Sequence, residues 1–138
     1  MILYHFTSPE RLARIQGAGV LRTTESNIGS GHPDWRPYGE HIGPDVVWLT
    51  DDQSPDGRAL ALDLQIDGTD KMAVRITVDV DEADVWWWPD FALHHGAHRK
   101  WRRLLGQGRA PESWWVHPAP IPVASFLAVE ARASESVA

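Results

Sequence analysis

Between Met72 and Val80 the chain alternates without a break. Met72, Val74, Ile76, Val78 and Val80 take one set of positions, and Ala73, Arg75, Thr77 and Asp79 take the other. Successive strand side chains point to opposite faces, so this pattern commits the segment to a strand with one buried face. The other strand candidates follow from it. Ile2–Phe6 is a short apolar run, and Val46-Val47-Trp48-Leu49-Thr50 is nearly continuous and stopped by Asp51-Asp52. Trp114-Trp115-Val116 and the stretch from Ile121 to Ala131 read as two further strands, with Val20-Leu21 returning to the core. Residues 59–64 fit either a strand or a short helix.

Two helices are expected. Thr7-Ser8-Pro9-Glu10 opens the first: a hydroxyl caps, proline suits the first turn, and Glu10 lies three after Thr7 as in a capping box. Leu12 and Ile15 give it an apolar side, and Gly17-Ala18-Gly19 ends it. Pro89 opens the second, of about 15 residues on a helical period. There Leu93, Ala97, Trp101 and Leu104 form a buried stripe, and Gly106 and Gly108 terminate it. Residues 22–45 hold Gly29, Gly31, Pro33, Pro37, Gly39, Gly43 and Pro44 with few aliphatics, which reads as a long loop of the kind usually tied to function. Residues 51–58 form a second polar loop. No repeat or linker interrupts residues 1–132, which read as one α+β domain, and 133–138 read as a frayed tail.

Composition removes several classes. With no cysteine among 138 residues, disulfide frameworks, thiolate zinc sites and cysteine nucleophiles are excluded. The net charge of −6 argues against holding nucleic acid by bulk charge. No apolar run approaches the roughly 18 residues of a membrane span, and MILYHFTSPER lacks the pattern of a signal peptide. A cytoplasmic protein with no membrane partner is expected. There is no phosphate-binding Walker loop, no dinucleotide GxGxxG and no GxSxG elbow.

One constellation points to a family. Tyr4-His5-Phe6-Thr7, the helix bearing Leu12 and Ile15, and Gly19-Val20-Leu21 together resemble the opening of the ADP-ribosyltransferase fold. They look most like the branch of RNA 2′-phosphotransferases and DNA-targeting ADP-ribosyltransferase toxins. Val46–Thr50 resembles that fold's second core strand, and Trp114–Val116 with Pro120–Glu130 resembles its closing strands. The resemblance implies split antiparallel sheets with two main helices, NAD as substrate, and a nucleic-acid, protein or small-molecule acceptor. Cleaving the nicotinamide–ribose bond passes through an oxocarbenium-like transition state. That step needs a carboxylate near the sugar, a group to fix the ribose, a stacking face and a phosphate anchor. The resemblance makes His5 the ribose-orienting residue, Thr50 the end of the second motif and Glu130 the candidate carboxylate. Trp48 or Tyr38 supplies the stacking face, and Arg22 or Arg36 the phosphate contact.

Two other features stand apart from that reading. Asp90, His94, His95, His98, Arg99, Lys100, Arg102 and Arg103 give the second helix, over 91–105, a basic face suited to a nucleic-acid acceptor. His94 and His98, four apart with Asp90 four before, also have the spacing of metal ligands. Asp90 is the one candidate for a third ligand, and no metal is expected. Trp86-Trp87-Trp88 cannot all share one strand face, so at least one is expected outside the core. Two rivals therefore stand beside the transferase: a non-catalytic binding or inhibitory module on the same fold, and a histidine-metal hydrolase.

Overall fold

Ile2–Thr7 forms strand β1 because its apolar residues fall on both faces of what proves to be a central strand. The computed structural model describes residues 1–23, 45–56, 70–95, 103 and 110–132. After β1, Ser8 caps helix α1 (Pro9–Ala18), its Oγ accepting from Arg11 N at 3.2 Å. Pro9 occupies the first turn, where its missing N–H is not needed. The cap is thus Ser8, and the pairing of Thr7 with Glu10 is not the one used. Gly19 ends α1 at φ 77°, a left-handed conformation that costs glycine nothing, and its N–H reaches the Ile15 carbonyl at 2.9 Å.

Strand β2 (Val20–Leu21) follows, then β3 (Val47–Thr50), β4 (Val74–Asp79) and β5 (Trp86–Trp87). Helix α2 (Trp88–His94), β6 (Trp114–His117), β7 (Ile121–Pro122) and β8 (Phe126–Ala131) complete the order. Six strands form one sheet in the order β5-β6-β3-β1-β4-β8, and β2 pairs with β7 in a separate two-stranded ribbon. Every pairing is antiparallel. The molecule is an α+β domain with two α-helices among the described residues.

The sheet is covered on both faces. Leu3, Val47, Leu49, Val74, Ile76, Val78 and Val80 build a core on one face with Leu21, Val85 and Ile121, against which Leu12 and Ile15 of α1 pack. Val46, Trp114 and Val116 build a second core on the other face, against Trp88, Phe91 and Ala92 of α2, with Trp48 and Trp86 beside it. Ile76 and Val78 are fully buried, each worth about 1.5–3 kcal/mol of transfer free energy.

Three expectations change. Leu93 is 68% exposed, so it does not begin a buried stripe; the buried side of α2 is Trp88, Phe91 and Ala92. The helix begins one residue before Pro89, which turns the third tryptophan of the run inward and the fourth apolar residue outward. Ala97, Trp101 and Leu104, and residues 59–64, lie outside the described residues. The stretch from Ile121 to Ala131 is not one strand: a 3-10 turn at Val123–Ser125 divides it, and Val123 N bonds the Gly19 carbonyl at 3.0 Å. Of the tryptophan run, Trp88 is buried, Trp86 is half-buried and Trp87 is 38% exposed.

Candidate functional site

β1 lies between β3 and β4 and is joined to them unequally. Six register pairs, from Ile2↔Asp79 to Thr7↔Val74, tie it to β4, whereas a single pair, Tyr4↔Thr50, ties it to β3. Beyond that pair a side chain does the joining: His5 Nδ1–H donates to the Trp48 carbonyl at 2.8 Å. A carbonyl only accepts, so the proton sits on Nδ1 and Nε2 is left as an acceptor. Nε2 has no partner among the described residues. Burial pushes the His5 pKa below its ordinary value, and the positive charge of Arg11 on α1 lowers it further, against the opposing effect of the Trp48 carbonyl. The half-buried imidazole is therefore neutral at neutral pH.

Thr50 closes β3 next to this junction. It is buried, and its Oγ1 accepts from Asp52 N at 3.1 Å. Asp52 Oδ1 in turn accepts from Ser54 N at 2.9 Å, so two short side-chain turns set the path of the chain as it leaves the strand. Asp51 is held to β6, its N–H on the Ser113 carbonyl and its Oδ2 on Trp115 Nε1, both at 3.1 Å. Glu112 stands at the start of β6 beside this corner, with its carbonyl taking Trp87 Nε1 at 2.8 Å.

Trp48 faces the aromatic core. Its ring lies 4.7 Å from that of Trp88 and 6.1 Å from that of Trp114. The indole Nε1 is enclosed and has no acceptor among the described residues. A donor buried without a partner costs about 1–3 kcal/mol.

The register separates Glu130 from His5. His5 pairs with Ile76, and Ile76 with Val129, whereas Glu130 pairs with Arg75, and Arg75 with Phe6. Glu130 therefore stands two strands from β1 and on the face opposite to that of His5, the face shared by Tyr4 and Thr50. Its side chain is 54% exposed and meets Arg75 Nη2 at 3.3 Å. Period two alone also predicts that Phe126, Ala128 and Glu130 share a face. A bulge breaks this: Ala128 pairs with Thr77 but Phe126 with Val78, so Phe126 packs into the α1-side core.

Arg22 is exposed just after β2, following the two-stranded ribbon rather than the main sheet. Arg36 and Tyr38, with most of the 22–45 loop, lie outside the described residues. So do His98, Arg99, Lys100 and Arg102, while Arg103 is exposed. His94 and His95 are occupied as rings: His94 stacks on Trp86 at 5.0 Å and His95 on Phe91 at 4.0 Å. Among the described residues no three histidine, aspartate or glutamate side chains gather as a metal would need. No helix among them is long and apolar enough to cross a membrane.

Sequence reading passes over Arg75 and Arg132. Arg75 sends Nη1 to the Gln53 carbonyl at 2.8 Å and lies over the Tyr4 ring at 5.6 Å. Arg132 lies over the Phe6 ring at 5.3 Å and sends Nη2 to the Pro55 carbonyl at 3.5 Å. Both clamp the segment after Thr50 onto the sheet. The alternating pattern marks Arg75 as an outward residue of β4, and nothing in it shows what that outward face meets.

No family model, no curated protein and no solved structure shows a significant match to this chain.

Proposed function

We propose that the protein consumes NAD in an ADP-ribosyl transfer or a related NAD-dependent transfer, at the junction of β1 and β3. The observation that carries this reading is His5: neutral, fixed in one tautomer by the Trp48 carbonyl, and with Nε2 left as an acceptor that has no partner among the described residues, one residue from the Tyr4↔Thr50 pair. A ribose hydroxyl donates to such a nitrogen, and a ring whose tautomer does not change holds the sugar in one orientation. The strands that resemble the family's first and second motifs, β1 and β3, are neighbours, and β6 lies directly beyond β3. These adjacencies support an ADP-ribosyltransferase-like arrangement. The carboxylate that the resemblance implies, Glu130, is paired with Arg75 on the face opposite to that of His5, and the register does not bring it to a ribose that His5 would hold.

The placement of Glu130 also favours a second reading. A carboxylate already paired with arginine, on the face opposite to that of His5, suits a binding module that holds NAD or a partner without turning it over.

Thermal denaturation with NAD, followed by an assay for released nicotinamide, tests both. NAD at about 100-fold over Kd is expected to add about 2.7 kcal/mol of stability, or about 8–10 °C in Tm. His5→Ala is expected to shrink the shift. A shift without nicotinamide release selects the binding module; no shift at millimolar NAD, with the protein folded, rejects both.

A further inference from the structure

We propose that Trp87 and Trp115 form a docking surface for the guanidinium of an arginine carried by a protein partner, with the carboxylates of Asp51 and Glu112 beside it. This surface stands apart from the NAD reading, because Trp115 lies two strands from β1 and Trp87 three. The two tryptophans are register partners, Trp87 on β5 and Trp115 on β6, so their side chains leave the same face of the sheet side by side. Leu49 is the next partner in that row, which makes it the α1-side face. Trp87 is 38% exposed and Trp115 is half-buried.

Hydrogen bonds fix how the rings lie. Trp115 Nε1 donates to Asp51 Oδ2 at 3.1 Å, and Trp87 Nε1 to the Glu112 carbonyl at 2.8 Å. Asp51 N is bonded to the Ser113 carbonyl, so both nitrogen edges are drawn toward the start of β6. An indole has no second polar hydrogen. What is left to meet a ligand is therefore flat π surface. No ring or guanidinium lies over either tryptophan among the described residues.

Charge selects the occupant. An indole face attracts cations, and Asp51, Asp52 and Glu112, all exposed, border this end of the pair. None of the three forms an ion pair among the described residues. These carboxylates repel phosphate, which weighs against a nucleic-acid strand stacking its bases here. Guanidinium is planar and weakly hydrated, so it lies flat on an aromatic face while its edge N–H groups reach carboxylates. An ammonium is compact and strongly hydrated, so arginine fits this surface better than lysine.

Titration of the whole chain with a blocked tri-arginine peptide, followed through the indole N–H signals in nuclear magnetic resonance, tests this. The Trp87 and Trp115 signals are expected to move. Trp87→Leu is expected to weaken the peptide about tenfold. Asp51→Asn, which keeps an oxygen for Trp115 Nε1 and removes the charge, is expected to weaken it severalfold. A tri-citrulline peptide, of the same shape without the charge, is expected to bind about tenfold more weakly or worse, and tri-lysine severalfold more weakly. Affinity unchanged in Trp87→Leu overturns the surface and leaves only general attraction to a chain of net charge −6. Citrulline binding as tightly as arginine overturns the charge argument, and lysine binding as tightly overturns the choice of guanidinium. If Trp87→Leu does not fold, Trp87→Phe decides with Asp51→Asn: its weaker ring face is expected to cost severalfold, and no loss in either overturns the surface.

Discussion

Replacing His5 with alanine is expected to lower stability by an amount that shrinks in acid. At pH 8 the substitution removes the only donor described for the Trp48 carbonyl on the β1 side, a bond of 2.8 Å. A stranded carbonyl costs about 1–3 kcal/mol, and the lost half-buried ring adds to that, giving about 2–3 kcal/mol in all. For a chain of 138 residues this corresponds to a fall in Tm of about 7–10 °C. The pH dependence has a definite sign. Burial holds the folded-state pKa of His5 below the 6.5 of the unfolded chain, so between those values the unfolded state binds more protons. The stability His5 contributes is complete above pH 6.5 and declines as the pH falls through the folded pKa. His5→Ala has no such decline, so its urea-denaturation curve should approach that of the wild type between pH 6.5 and 5. His5→Asn sets an amide N–H at the branch point used by Nδ1 and should recover part of the loss without the acid slope. A gap that stays constant from pH 8 to 5, or widens in acid, refutes both the neutral tautomer and the assigned bond.

If Glu130 is the catalytic carboxylate, Glu130→Gln should lower nicotinamide release about 10²-fold or more while the fold persists, and Glu112→Gln should leave it within a fewfold. The opposite ranking in the same assay moves the carboxylate to the start of β6, beside Thr50. On α2, Trp88→Ala should cost about 3–5 kcal/mol in chemical denaturation and Leu93→Ala less than about 0.5, because only Trp88 is buried. Equal losses at the two positions contradict the helix phase described above.

The parts legible in the sequence were those written in local code. The Met72–Val80 alternation, the Ser8-Pro9 cap, the glycine stop at Gly19 and the Asp51-Asp52 stop after Thr50 each specify a conformation within a few residues, and each sits where the pattern places it. The misreadings share a different origin. Trp88 belongs to a helix although it ends a tryptophan run, because the helix starts one residue before the proline. Phe126 leaves the face of Ala128 because a bulge consumes Leu127, and a bulge has no sequence signature here. Pro122, which has no N–H for a ladder, stands next to the break at Val123–Ser125 and was the one local sign of it. The site was legible only at the level of strands: β1 and β3 are neighbours, but the Tyr4↔Thr50 pair puts the Thr50 side chain on the face opposite to that of His5. The bond from His5 to the Trp48 carbonyl, and the meeting of Arg75 with Glu130, are set by cross-strand register and are invisible to any pattern along one strand.

The single rung between β1 and β3 makes the sheet behave as two plates riveted at one point. β5, β6 and β3 form one plate, stiffened by the tryptophans and α2; β1, β4 and β8 form the other, stiffened by α1. Main-chain pairing across this line is confined to the Tyr4–Thr50 rung, joined by the His5 clasp, while Val47 and Leu49 packing against Leu3 and Ile76 gives a side-chain link. Torsional compliance is therefore concentrated along that line. A molecule wedged along that line would splint the two plates into one stiffer sheet.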